Sequence, residues 1–388
     1  MIALRGISWD HPRGHDPMVA TAAAYMARHP DIRIEWATRS LKDFGDYPVD
    51  RLAEAYDLIL VDHPFIGTAA KLGCLLPVDA HLDAAFLADQ AANSVGPSHG
   101  SYVYDGHQWA LAIDAAGQVS AIRPDLLAAT DATAPRTWSD VLALAERTRA
   151  SGRPRVAIPL VPTDAVMCLF TLCASAGEPP FAQDGRVVGR ATGRHALEML
   201  RRLAAMAHPE SLTWNPIRAL DRMSVTDEIA YIPLLFGYSN YARPGFRPNL
   251  VHFTDIPRAA DGLPRGGVLG GVGLAVSAAT KQADAAFDYA RFVAEPLTQR
   301  TTFFTAGGQP GHRQAWLDPQ VYAAASDFFR GTLATLDLAY LRPRFPGYPR
   351  FQEQAGETVH AFLAEHGDRD ATLDRLDALL HATRTSAP

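Results

Sequence analysis

The stretch YDLILVDHPFIGTAAKLGCLL, Tyr56–Leu76, decides the fold class. Its centre, Leu58–Val61, is an unbroken apolar run, which suits a strand buried on both faces of a parallel sheet. Asp62-His63-Pro64 stops that run, because proline disfavours strand continuation and turns the chain toward a helix start. The residues from Phe65 onward read as a helix ending near Gly73. Upstream, IALRGISW (2–9) reads as a strand. DPMVATAAAYMARHP (16–30) follows as an amphipathic helix with Asp16 near its N-terminus and Pro17 in its first turn. DIRIEWATRS (31–40) alternates apolar and polar residues as a second strand should. This β-α-β-α order predicts an α/β lobe.

The first strand ends as the third does. Trp9 runs into Asp10-His11-Pro12, so two strands of one chain close on Asp-His-Pro. If they are neighbours in one sheet, Asp10, His11, Asp62 and His63 come within about 10 Å of each other, two strand spacings. Four such groups can hydrogen-bond a polar ligand, carry out acid–base chemistry or hold a metal through mixed N/O ligands. The plain alternative is turn chemistry, an Asp or His capping the next helix. A metal is disfavoured, because adjacent Asp and His cannot both aim at one ion without an unusual turn.

At 388 residues the chain is long for one core, and two lobes are expected. A net charge of -6 argues against a nucleic-acid partner. Lysine appears only as Lys42, Lys71 and Lys281, so the basic residues are mostly arginines and a single arginine is a weak functional signal. Cys74, Cys168 and Cys173 match neither a zinc site nor a redox pair and read as buried thiols, with Cys168 as a nucleophile the lesser reading. The Gly266–Gly273 run lacks a Walker lysine and continues as a strand, so it is not read as a phosphate loop. No cofactor is expected. The opening MIALRGISWDHPRG has no basic segment followed by a long apolar one, so as written the chain reads as cytoplasmic, and as periplasmic if a leader has been removed. No apolar run approaches the ~20 residues that span a bilayer.

Six further segments follow one another in a telling order. AKLGCLLPVDAHL (70–82) and YDGHQWALAIDAAGQVSAIRPDLL (104–127) come first, then APRTWSDVLALAERTRASG (134–152) with Pro135, Thr137, Trp138 and Asp140 at a helix start. DEIAYIPLLFGYSNYA (227–242), GGVLGGVGLAVSAATKQADAAFDYARFV (266–293) and GGQPGHRQAW (307–316) complete the set. Together they resemble the family-1 extracellular solute-binding proteins, the maltose-binding-protein-like receptors of bacterial ABC importers. The resemblance covers essentially the whole chain.

It implies a two-lobe periplasmic-binding-protein-like fold of type II, with a ligand cleft between lobes and closure by hinge bending. One lobe would hold residues 1–113 and 254–308, the other 114–253 and 309–388. The implied function is a solute-binding protein that traps a sugar, polyol or small organic ion, with an ABC permease as partner and a monomeric state. The ligand-facing candidates are Asp10, His11, Arg13, Asp62, His63, Asp114, Tyr238, Asn240, Tyr241 and Tyr348. Among them Arg13 would favour an acid through a bidentate pair, while the tyrosines suit sugar rings or cations. A second reading is a cytoplasmic enzyme derived from this fold, with Asp10, His11, Asp62 and His63 as acid–base groups. The two Asp-His pairs are not a usual sugar-site pattern and keep that reading open.

Overall fold

The computed structural model describes residues 1–41, 48–153 and 155–386. They form a mixed α/β structure of two compact units. The first contains Met1–Ala116, Gly270–Ala323 and Arg342–Pro349; the second contains Gly117–Leu269, Ala324–Leu341 and Arg350–Pro388. Segments 309–323 and 342–349 thus belong with the first unit, whereas the sequence reading assigned all of 309–388 to the second lobe. Side-chain chemistry explains the placement. Gln309 Nε2 donates to the Ala115 carbonyl at 2.8 Å, and Arg342 pairs with Asp62 at 2.9 Å. A Cβ on Gly67 would lie 1.6 Å from the Arg344 carbonyl, so only glycine lets that segment dock. Residues 254–269 belong to the second unit, where Asp255 accepts hydrogen bonds from the Thr335 backbone and hydroxyl.

In the first unit, Ile2–Trp9 pairs in parallel with Ile32–Arg39 and with Leu58–Val61. The run Leu58–Val61 is buried on both faces, as its composition predicted. Leu58 and Leu60 join a core with Leu4, Met18, Tyr25 and Phe287, while Ile59 and Val61 join Ile7, Tyr102 and Ala275 on the other side. Burying each such side chain contributes about 1.5–3 kcal/mol. The sheet is mixed rather than wholly parallel, because Leu269–Val276 pairs with Leu58–Val61 antiparallel.

The second unit is organised by Leu111–Ile122, a strand that starts in the first unit and ends in the second. It is one continuous twelve-residue strand. Its second half pairs antiparallel with Tyr231–Phe236 and His252–Thr254. Helix Trp138–Ala150 packs Val141, Leu144 and Ala145 into a core with Ile122, Leu203 and Tyr231. It starts where the sequence places it, because Thr137 and Asp140 form a reciprocal capping box. Pro154 lies outside the described residues, and Val156 makes a single bridge to Tyr231.

Candidate functional site

The first Asp-His-Pro segment does two separate things. Asp10 is exposed, and its backbone N–H donates to the Arg39 carbonyl at 2.8 Å. His11 is buried in extended backbone and caps helix Pro12–Met26, its Nδ1 accepting from the Arg13 N–H at 3.0 Å. That cap starts the helix four residues before Asp16, so Pro17 lies inside it rather than in its opening turn. Only with this early start does Arg13 fall within the first turn.

Arg13 binds Asp114 through two parallel bonds, Nε to Oδ2 at 2.9 Å and Nη2 to Oδ1 at 2.5 Å. The two side chains are 4% and 2% exposed, so this is a fully buried ion pair. Burial pushes the Asp114 carboxyl up, and the Arg13 charge and hydrogen bonds work against that rise. Asp114 is pinned from behind as well. It bridges Pro310, and a Cβ on Gly271, at φ +103°, would stand 2.4 Å from its carbonyl. Two residues expected to meet a ligand independently therefore meet each other.

The second segment is built differently. Asp62 Oδ1 and Oδ2 accept from Arg342 Nη2 at 3.0 and 2.9 Å. Burial works to raise the Asp62 carboxyl, but Arg342 and His63 overcome it and hold it at about 2. His63 has no exposed surface. Its Nδ1 lies 3.1 Å from Asp62 Oδ1, its Nε2 has no hydrogen-bond partner among the described residues, and its ring meets Tyr102 edge-on. Desolvation, aided by Arg342, lowers its pKa to about 4, so the imidazole is neutral at pH 7. Tyr348 is fully buried against Phe345, and its hydroxyl pKa is raised, by burial first. Arg342 drew no attention in the sequence because arginines are abundant there.

In the second unit Tyr238, Asn240 and Tyr241 follow strand Tyr231–Phe236, and all three are buried. Tyr241 is 1% exposed, donates to Asp221 Oδ1 at 2.8 Å, and packs against Phe246 and Arg247. It holds helix Pro216–Val225 in place rather than presenting a ring face to solvent. Cys168 and Cys173 are buried in helix Pro162–Ser175, and burial pushes both thiols far above their ordinary range. This overturns Cys168 as a nucleophile, since the thiolate is the reactive form.

The same helix carries a residue that the sequence reading passed over. Asp164, in its first turn, is 6% exposed and has neither an ion-pair nor a hydrogen-bond partner among the described residues. Burial alone raises its carboxyl to about 8. A helix N-terminus contributes about 0.3–1 kcal/mol to a nearby carboxylate, which does not offset the several kcal/mol that burying the charge costs. The signal was a lone acid opening an otherwise apolar helix. Among the described residues, no group of three or more His, Cys, Asp or Glu is placed to hold a metal ion, and no helix is long and apolar enough to cross a membrane.

A family model for bacterial extracellular solute-binding proteins matches residues 11–300. The chain belongs to that family. Among solved structures, the maltose-bound MalE3 of T. maritima is similar at a TM-score of 0.84 and 17% identity, over 98% of this chain and 99% of that one. The GacH receptor of Streptomyces glaucescens, solved unliganded and with acarbose, follows at 0.81 and 15%, over 100% and 99%. A ribitol-bound ABC transporter solute-binding protein of Agrobacterium radiobacter gives 0.78 and 20%, over 97% of each chain. These likenesses establish the two-lobe type II solute-binding fold for this member of the family. No curated protein matches the chain.

Proposed function

We propose that this family member is the receptor of an ABC import system and binds a small polyhydroxylated solute, handing it to a permease as a monomer outside the inner membrane. The observation that carries this reading is the pairing of the buried arginines. Arg13 is bound to Asp114 and Arg342 to Asp62, so an organic acid finds both guanidinium groups already engaged with carboxylates. A hydroxylated solute instead uses mixed donors and acceptors such as Asp10 and His63 Nε2. The sugars and polyols bound by proteins of similar fold support the same solute class.

Acid–base chemistry draws less support. His63 stays neutral down to about pH 4, and His11 commits Nδ1 to a helix cap. The test is a thermal-shift screen of sugars, polyols, amines and organic acids, followed by calorimetry on the best ligand. The expected result is a raised midpoint with a sugar or polyol compound and none with simple dicarboxylates. A screen led by organic acids would overturn the reading.

A further inference from the structure

Helix Pro162–Ser175 carries a polar stripe along one face, Asp164, Cys168, Thr171 and Ser175, at spacings of four, three and four residues. Three of the four are satisfied by neighbouring elements of the same unit. Gln118 Nε2 donates to Cys168 Sγ at 3.5 Å, Thr171 Oγ1 donates to Gln118 Oε1 at 2.5 Å and accepts from the Val268 N–H, and Ser175 Oγ donates to the Arg265 carbonyl. Asp164 alone stands at the N-terminal end of the stripe without a donor. The helix's opening turn is fixed from outside: Gly356 abuts the Pro162 carbonyl so closely that a Cβ would lie 2.6 Å away, and His360 Nδ1 meets the Leu160 carbonyl at 2.7 Å. Among the described residues no charged group acts on the carboxyl, and the nearest titratable group on its own helix is the Cys168 thiol, one turn on.

The fold treats its buried acids in a consistent way. Asp114 is matched by Arg13 and Asp62 by Arg342, each through two hydrogen bonds. Asp164 is a buried acid that no cation among the described residues matches. We propose that Asp164 anchors a protonated amine on the solute, which makes the ligand an amino sugar, an amino polyol or a comparable hydroxylated amine. The proposal rests on the receptor reading above and narrows its solute class. In the empty protein the carboxyl is mostly protonated at pH 7, since burial lifts it to about 8. Binding an ammonium group creates a charge-assisted pair at a largely buried carboxyl, so the proton leaves as the ligand enters.

That coupling gives the experiment its readout. Titrate the full-length protein by calorimetry with 1-amino-1-deoxysorbitol and with sorbitol, and likewise with glucosamine and glucose, in buffers of different ionisation enthalpy. The expected result is that one amine binds roughly tenfold or more tightly than its parent alcohol and releases about one proton per ligand at pH 7. Asp164→Asn, which keeps the shape and removes the charge, brings amine and parent to parity and abolishes proton release. The parent's own affinity stays within a few-fold and the thermal midpoint does not fall. Asp164→Ser repeats the comparison should the amide disturb folding. Equal binding of amine and parent by the wild type, or a preference that survives both substitutions, overturns this inference and leaves the receptor reading standing. Failure of every sugar, polyol and amine to bind overturns both.

Discussion

The two Asp-His-Pro segments share a tripeptide and little else. In the first, the aspartate is exposed and the histidine caps a helix. In the second, the aspartate is clamped by Arg342, and the histidine is fully buried, with Nδ1 near Asp62 and Nε2 without a partner among the described residues. The proline has the same local role each time, ending a strand and opening a helical turn. What differs is the element that returns to cover the segment. Strand residue Asp114 comes back to Arg13, two residues beyond His11, whereas the 342–349 segment comes back to Asp62 itself. Identical local chemistry is thus set to capping in one place and to a charged cluster in the other by residues distant in sequence.

The largest expected effect tests whether the pair beside the first segment is structural. Arg13→Met should destabilise the protein by about 3–5 kcal/mol in chemical denaturation, because it leaves Asp114 charged and buried. Adding Asp114→Leu should recover most of that loss. A cost below about 1 kcal/mol for Arg13→Met would make the pair dispensable and reopen Arg13 as a ligand group. Next, Arg342→Met should cost about 2–3 kcal/mol, less because Asp62 keeps some solvent.

The third prediction concerns acid. Both Asp62 and His63 have folded-state pKa values below their ordinary ones, so each contributes stability at neutral pH that acid removes. The His63 share is complete above its ordinary value of 6.5 and is lost as pH falls toward about 4, while the Asp62 share is lost between 3.8 and about 2. His63→Phe should flatten the upper window of the stability–pH curve and leave the lower one in place. If the same variant also abolishes solute binding, the unsatisfied Nε2 faces the ligand; unchanged affinity would assign His63 to the core. The smallest effect belongs to the cap. His11→Ala should cost about 1 kcal/mol and His11→Asn much less, since asparagine also accepts from the first turn.

Much of the architecture was readable in advance. Leu58–Val61 was legible as a doubly buried strand, Thr137 and Asp140 as a helix start, and Gly73 as a helix end, where it adopts φ +62°. The start of the first helix was not. A proline in a sequence looks like a boundary, yet Pro17 is accommodated because the His11 cap fixes the helix beginning four residues before Asp16. The strand Leu111–Ile122 carries Ala115, Ala116 and Gly117 at its centre, which composition alone does not mark as strand. The tertiary setting favours small residues there, since a Cβ on Gly117 would stand 3.2 Å from the Leu336 side chain.

The candidate site was less legible than the fold. Its residues were named by type, and Arg13, Asp62, His63 and Asp114 do gather in the buried polar parts of one unit. Their partners were not foreseeable. Period and composition report which face of an element is buried, because that depends on neighbours three or four residues away along the chain. They carry no information on which of many arginines lands beside which aspartate, since Arg13 lies 101 residues from Asp114 and Arg342 lies 280 from Asp62. The sequence by itself determined the family, the α/β architecture and the two strand ends where polar groups cluster. Only the tertiary structure decided which charges are consumed in pairs and which one, Asp164, keeps no partner among the described residues, because long-range contact sets the desolvation and pairing on which a buried charge depends.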